Sequence, residues 1–174
     1  MRIENQNINQ YSVKETDYID SQTFSGLDEL IIVNFPASQS TIKGEWFEQT
    51  PKIFKIEVDE NNPLFTSVDG VVFNKDMTEL IYFPRGKINS QGHNMGEYVV
   101  PDTVKIIREG AFYNNTGLKK IELQSVEKIE KRAFYRMKNL EEIMLNQGLQ
   151  RIGNQAFVEC EKLKQIALPD SLEQ

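Results

Sequence analysis

A phenylalanine recurs along this chain at a nearly constant interval, and this repeat constrains the fold more than any other feature. Phe112, Phe134 and Phe157 are spaced by 22 and 23 residues, and each directly follows an alanine. Around each Phe, an aliphatic residue stands five positions before it and six, nine and eleven positions after it. A period of this length is typical of stacked repeats in which each unit buries its apolar face against the next one. We therefore expect a solenoid.

The same offsets identify two earlier copies in the N-terminal half. Phe24 and Phe47 are again 23 residues apart. The offsets five before and six, nine and eleven after these two residues predict eight apolar positions, and all eight are apolar. They are Ile19, Leu30, Val33 and Phe35 in the first copy and Ile42, Ile53, Ile56 and Val58 in the second. The repeat therefore runs through most of the 174 residues.

The middle copy is altered. If Phe73 is its landmark, Ile81 and Phe83 come one residue earlier than the regular offsets require. The polar, glycine-containing segment 85–97 follows and is typical of an inserted loop or hairpin tip. The pattern of an apolar strand followed by proline then returns at residues 98–101.

These boundaries predict one domain over residues 1–174. Its parts are a possible N-terminal cap (1–17), repeats one and two (18–63), an altered repeat (64–103) that contains the 85–97 insertion, and repeats four to six with the start of a seventh (104–174).

Two kinds of local structure are expected within each unit. The segment L-x-x-I-x-L alternates in polarity, so it predicts a short strand. Before it, Ile129, Ala133, Phe134 and Met137 have roughly helical spacing and predict a short helix on the opposite side. The predicted fold class is an α/β repeat, a right-handed solenoid with a concave parallel β-sheet, short helices on the convex side and an inserted β-hairpin or loop.

The repeat resembles the BspA-like, or Treponema pallidum-type, leucine-rich repeats of bacterial surface proteins. The copy that carries the resemblance most completely has its landmarks at Ile152, Ala156, Phe157, Cys160, Leu163, Ile166, Leu168 and Pro169. The segment from Asn62 to Pro84 is similar to a strand-hairpin unit of these proteins. The resemblance covers about residues 18–174, and it implies surface display, adhesion and binding of a host or matrix protein. Copies one and two depart from it, because Thr23 and Trp46 replace the alanine.

Composition excludes several classes of function. The formal net charge is −6, and there is no basic stretch of the kind that nucleic-acid binding needs. No apolar run approaches the 18 residues of a membrane-spanning helix, so membrane insertion is not expected. The polar N-terminal residues lack the apolar core of a signal peptide. Two locations therefore stay open: the cell surface or secretion if a signal segment has been removed, and the cytoplasm otherwise.

The residues most capable of chemistry do not form a recognisable site. The equivalents of Cys160 in other copies are apolar or small fillers, so we expect a structural, buried cysteine. The single histidine, His93, lies in the insertion, so neither a Cys/His pair nor a zinc site is expected. Residues 69–76 lack the spacing of a calcium loop, and a hairpin turn at 74–76 fits them better. We predict no catalytic residue, metal, cofactor or enzymatic activity.

The concave sheet is the remaining candidate surface, and the expected partner is a protein. The candidate residues flank the inward-facing position of each strand. They are Ile32, Asn34, Lys55, Glu57, Tyr82, Lys120, Glu122, Glu142, Met144 and Gln165. The ladder mixes charged with apolar and aromatic side chains, a composition that can anchor a protein partner. The 85–97 insertion is a rival binding site.

Three functions are compatible with these features. The first is a non-catalytic protein-binding or adhesion scaffold of a cell-surface or secreted bacterial protein. The alternatives are a structural spacer and an intracellular regulatory or targeting module of a larger protein.

Overall fold

The computed structural model describes residue 3 and residues 8–88 and 91–173. Parts of the predicted cap (1–2 and 4–7), of the insertion (89–90) and of the last repeat (174) lie outside the described residues. In chain order the strands are β1 (Gln10–Ser12), β2 (Ile32–Phe35), β3 (Lys55–Val58), β4 (Phe65–Val68), β5 (Val71–Asn74), β6 (Glu79–Tyr82), β7 (Glu97–Val99), β8 (Ile106–Ile107), β9 (Lys120–Glu122), β10 (Lys128–Ile129), β11 (Glu142–Met144) and β12 (Arg151–Ile152).

The strands form three sheets. Outer sheet N consists of β1, β2 and β3, and outer sheet C consists of β7, β9 and β11. Both contain only parallel pairs. The six-stranded sheet has the order β12-β10-β8-β6-β5-β4. The predicted parallel solenoid with an inserted hairpin is therefore confirmed, but the single concave sheet is divided in two.

The short helices predicted on the convex side are not present in the described residues, where the only helix is a 3₁₀ helix at Gly44–Phe47. The three C-terminal regular copies instead have left-handed residues two positions before and two positions after their Phe. They are Gly110, Arg132 and Gln155 before it, and Asn114, Arg136 and Glu159 after it. An α-helix requires right-handed backbone angles at every residue, so these positions interrupt it.

The backbone hydrogen bonds give a second reason for the absence of helices. The amide of Phe112 donates to the carbonyl oxygen of Ala133 at 2.8 Å, and the amide of Phe134 donates to that of Ala156 at 2.9 Å. These donors thus bond to the next copy and not within their own turn. The helical spacing of the apolar residues reflects turns stacked on one another, with β8, β10 and β12 pairing beside them.

The recurring phenylalanines form a stack through the centre of the molecule. Phe112 and Phe134 have ring centroids 5.0 Å apart, and Phe134 and Phe157 are 5.2 Å apart. Phe24 and Phe47 stack at 5.2 Å in the N-terminal half. Stacked aromatic rings add directional contacts to the burial of their area. The Phe repeat that defines the sequence is therefore the axis of the core.

In the altered copy, Phe83 takes the position predicted for Phe73. The amide of Phe83 donates to the carbonyl oxygen of Ala111 at 2.8 Å, which is equivalent to the bonds made by Phe112 and Phe134. Its ring stacks on Phe112 at 5.3 Å. Phe73 is buried in β5 of the hairpin. The assignment of Phe73 as the landmark was wrong because the hairpin adds residues to this copy before the landmark position.

The hairpin is inserted between the two outer sheets. β4 pairs with β5, and β5 with β6, in antiparallel fashion. The predicted turn after Asn74 is confirmed, because Met77 donates to the Asn74 carbonyl oxygen. At the other end of β5, the amide of Ile56 donates to the carbonyl oxygen of Gly70, so the hairpin tip continues outer sheet N. Nζ of buried Lys87 bonds the Asp69 carboxylate at 2.8 Å and fixes the tip.

The turn side of the molecule lacks a corresponding insertion. A Cβ atom on Gly44 would lie 2.9 Å from the carbonyl oxygen of Gly110, so copy two directly contacts copy four there. Two buried clusters result. One contains Phe24 and Phe47, and the other contains Phe112 and Phe134.

Candidate protein-binding face

The outer faces of the two outer sheets carry most of the predicted binding residues. In β2, β3, β9 and β11 a fully or nearly fully buried residue points inward, and these residues are Val33, Ile56, Ile121 and Ile143. Because side chains alternate along a strand, the residues on either side point outward. The structure therefore places eight of the ten predicted residues on an outer face. They are Ile32, Asn34, Lys55 and Glu57 on outer sheet N, and Lys120, Glu122, Glu142 and Met144 on outer sheet C.

Tyr82 does not belong to this surface. It is only 1% exposed and stacks on Phe47 at 4.7 Å. Burial raises the pKa of its phenol, and its hydroxyl oxygen has no hydrogen-bond partner among the described residues. The prediction failed because β6 pairs with β8 in the six-stranded sheet and not with the outer strands.

Gln165 is exposed but lies outside the assigned strands. The residues around it, Leu163 and Ile166, pack partly against the C-terminal cluster. Gln165 therefore follows the outer face along the chain without being part of outer sheet C.

Two further outward-facing residues of outer sheet C, Glu97 and Val99, are missing from the sequence-based set. They flank the inward-facing Tyr98 in β7, which pairs with β9. Pro101 provides a signal for them, because Tyr98 precedes it by three residues, as Val33 precedes Pro36. Counting back from each proline would have placed Glu97 and Val99 outward.

The strand register of outer sheet C arranges its outward residues in two rows. The first row is Glu97, Lys120 and Glu142, and the second is Val99, Glu122 and Met144. Val99 is 50% exposed and Met144 is 45% exposed. Lys120 Nζ lies 3.5 Å from Oε1 of Glu142. The face thus has two exposed apolar side chains beside a row of charges.

Outer sheet N is more polar. Lys55 forms an ion pair with Glu57 along its own strand. Asn34 donates from Nδ2 to Oγ of Ser12 at 3.0 Å. Apart from Ile32, the outward side chains of this sheet offer hydrogen bonds and charges, so the exposed apolar contacts are on outer sheet C.

The residues considered for chemistry have structural surroundings. Cys160 is only partly buried, not fully buried as predicted. Its thiol donates to the carbonyl oxygen of Phe134 at 3.1 Å, and the partial burial raises its pKa to about 11. His93 is exposed in the insertion. Within the described part of the chain, no three His, Cys, Asp or Glu residues are grouped to hold a metal ion. A search of the same residues found no helix suited to spanning a membrane.

Comparisons with known proteins agree with the fold. A family model described as "BspA type Leucine rich repeat region" matches residues 3–95 and 88–174, with six copies. No curated protein matches the chain. Among solved structures, the pneumococcal vaccine antigen PcpA has 34% identity and a TM-score of 0.65 over 83% of this chain and 32% of its own.

Two further structures are similar. A leucine-rich repeat protein from Eubacterium ventriosum has 31% identity and a TM-score of 0.63, over 71% of this chain and 32% of its own. A leucine rich cell surface protein from Faecalibacterium prausnitzii has 19% identity and a TM-score of 0.73, over 95% of this chain and 48% of its own. The chain spans about a third of the length of the first two proteins.

Proposed function

Because this chain belongs to the BspA-type leucine-rich repeat family, we propose that it is a non-catalytic protein-binding module of a bacterial surface protein. The proposed binding site is the outer face of outer sheet C. A repeat solenoid supplies an extended surface of regularly spaced side chains, which suits recognition of another protein. The description of one structural neighbour as a cell surface protein supports the proposed location.

The exposure of Val99 and Met144 is the observation that carries this proposal. Both lie within regular strands, and their inward neighbours Tyr98 and Ile143 pack in or against the core. Protein interfaces typically have an apolar centre surrounded by polar residues. Glu97, Lys120 and Glu142 form such a polar row beside the two apolar side chains.

The test compares binding by the wild-type chain and two variants with a panel of immobilised extracellular-matrix and serum proteins. The double variant Val99→Glu, Met144→Glu replaces the two exposed apolar side chains with charges. Leu64→Glu is the matched control, because Leu64 is similarly exposed but lies in the turn before the hairpin. We expect a panel protein bound by the wild type to lose roughly tenfold or more in affinity for the double variant only.

Two results would contradict the proposal. If the double variant and Leu64→Glu bind equally well, the binding surface lies elsewhere on the molecule. If no panel protein binds the wild type, a structural spacer becomes the better account of the chain. Circular dichroism of each variant must show the wild-type spectrum for the comparison to be valid.

A further inference from the structure

A second surface of unusual composition lies on the turn side, separate from the outer sheets. Tyr113 and Tyr135 directly follow the buried Phe112 and Phe134 in sequence. Their rings stack with centroids 5.5 Å apart and an interplanar angle of 16°. Val158 continues this row in the next copy and is 42% exposed. We call these three residues, with Arg85, Arg132 and Arg136, the tyrosine patch.

Packing of the repeat does not require aromatic residues here. The equivalent position is Ser25 after Phe24 and Glu48 after Phe47. Phe24 and Phe47 are nevertheless fully buried and stacked on each other. A copy can therefore form its core with a small or charged residue in this row. The tyrosines are a local property of the C-terminal copies.

Arginines flank the tyrosines. The guanidinium carbons of Arg132 and Arg136 lie 5.5 and 5.2 Å from the centre of the Tyr135 ring, within the range of cation–π attraction. Arg136 forms an ion pair with Glu159 at 3.0 Å, and the Tyr135 hydroxyl donates to the same carboxylate. Tyrosine and arginine are the residues most enriched, with tryptophan, at the energetic centres of protein interfaces.

Two of the patch arginines have no carboxylate partner among the described residues. Arg132 donates from Nε to the uncharged side chain of Gln155 at 2.7 Å. Arg85 donates to the backbone carbonyl oxygens of Asn114 and Glu48. Among the arginines in the described ranges, the others form ion pairs with acids. Arg85 and Arg132 are thus held in place by neutral acceptors while their charge remains available.

Besides Glu159, Glu48 is an acid that borders the patch. Burial and then the neighbouring Glu45 raise the pKa of its carboxyl, and the positive charges of Arg132 and Arg136 oppose this shift. Glu48 is thus close enough to feel both guanidinium groups without forming an ion pair with either. It would repel an incoming carboxylate, and its removal should strengthen binding of an acidic ligand.

We propose that the tyrosine patch docks an acidic, aromatic-containing segment of a partner protein. A carboxylate of that segment pairs with Arg132 or Arg85, and an aromatic side chain packs on the row of Tyr113, Tyr135 and Val158. Charge complementarity selects this partner, because planar guanidinium groups bind carboxylates through paired hydrogen bonds. The inference is independent of the function proposed for outer sheet C, since the two surfaces share no residue.

The probe for this proposal is a fluorescently labelled random copolymer of glutamate and tyrosine, with binding followed by fluorescence anisotropy. We expect saturable binding to the wild type that weakens as salt rises. Arg132→Gln and Tyr135→Ser should each reduce affinity by roughly tenfold. Serine is the residue of the first copy at this position, so Tyr135→Ser is compatible with the fold. Glu48→Gln should bind the probe more tightly.

The matched control is Lys75→Gln, which removes an exposed positive charge from the hairpin turn and should leave affinity for the probe unchanged. Polyglutamate, which lacks the aromatic component, should bind more weakly than the copolymer. The proposal is overturned if the wild type shows no saturable binding. It is also overturned if Arg132→Gln and Lys75→Gln have equal effects, or if polyglutamate binds as well as the copolymer.

Discussion

Phe134 shows at the level of one residue how the repeat is held together. Its ring is fully buried and lies between the rings of Phe112 and Phe157. Removing it leaves a cavity bounded by the two neighbouring copies, and cavities that cannot collapse are costly. The spacing alone predicts this role, because a large apolar residue that recurs once in every copy packs on its equivalents in the neighbouring copies.

We expect Phe134→Ala to lower the free energy of unfolding by roughly 3–5 kcal/mol, the usual cost for a fully buried Phe. Phe157→Ala is the matched comparison, because Phe157 is only partly buried and stacks on one ring. Phe157→Ala should therefore lower the free energy of unfolding by clearly less than Phe134→Ala. Urea denaturation of the wild type and both variants measures the difference. Equal losses in the free energy of unfolding would contradict the position of Phe134 inside the core.

The reactivity of Cys160 gives a second prediction at this scale. Burial raises the pKa of its thiol to about 11, against roughly 8.5 for an unperturbed cysteine. The thiolate is the reactive form, so at pH 8 the native chain should alkylate roughly a hundredfold more slowly than the unfolded chain. The rate in the native protein should keep rising with pH up to about pH 11.

Mass spectrometry after timed treatment with iodoacetamide, with and without denaturant, measures these rates. Similar native and denatured rates at pH 8 would show that the thiol is neither buried nor bonded to the Phe134 carbonyl oxygen.

At the scale of elements, the sequence predicts the outer strands better than the turns. Outward residues such as Lys120 and Glu142 follow directly from the two-residue period of a strand, and the structure places both on the outer face. The prediction of short helices was wrong because the spacing of Ile129, Ala133 and Phe134 fits a stacked turn as well as a helix. Positive backbone angles at residues such as Arg132 decide between them, and the side chain alone does not reveal these angles.

Gly44 is an exception among the turns, because here the sequence does indicate the local structure. The equivalent residues in the other regular copies are Ser21, Glu109, Lys131 and Asn154. Glycine stands only where copy two contacts Gly110 directly. A break in the pattern of a repeat can therefore mark a close approach of two backbones.

We expect Gly44→Ala to destabilise the protein by about 1–3 kcal/mol, because the added methyl group meets backbone atoms that have little room to move. Without this contact, alanine in a helical turn would instead stabilise it by up to about 1 kcal/mol. The sign of the change in stability therefore shows whether Gly44 is in close contact with Gly110. Ser21→Ala, at the equivalent exposed position of copy one, should change stability by less than about 0.5 kcal/mol. Thermal melting of both variants gives the comparison.

At the scale of the whole molecule, the sequence established the solenoid and the number of copies but not its division. The hairpin separates a cluster around Phe24 and Phe47 from a cluster around Phe112 and Phe134. Periodicity alone points to Phe73 as the landmark of the altered copy, because it cannot show which residues of an insertion displace which others. For the same reason it predicts that Tyr82 lies on the surface.

The division predicts that the two halves lose structure separately. In a solenoid, stability depends mainly on contacts between neighbouring copies. We expect Phe24→Ala to reduce amide protection mainly in residues 10–58 and much less in residues 104–152. Hydrogen exchange followed by mass spectrometry tests this, with Phe134→Ala as the reciprocal variant. A uniform loss of protection along the chain would mean that both clusters unfold as one unit.

The uneven thickness of the altered copy has a consequence for the shapes that can bind this molecule. Backbone at Gly70 and Lys87 is inserted beside outer sheet N, whereas Gly44 and Gly110 are in direct contact on the turn side. The hairpin therefore separates outer sheet N from outer sheet C, and no described strand of one sheet pairs with a strand of the other. A partner that covers both sheets must cross the hairpin or bring two separate segments.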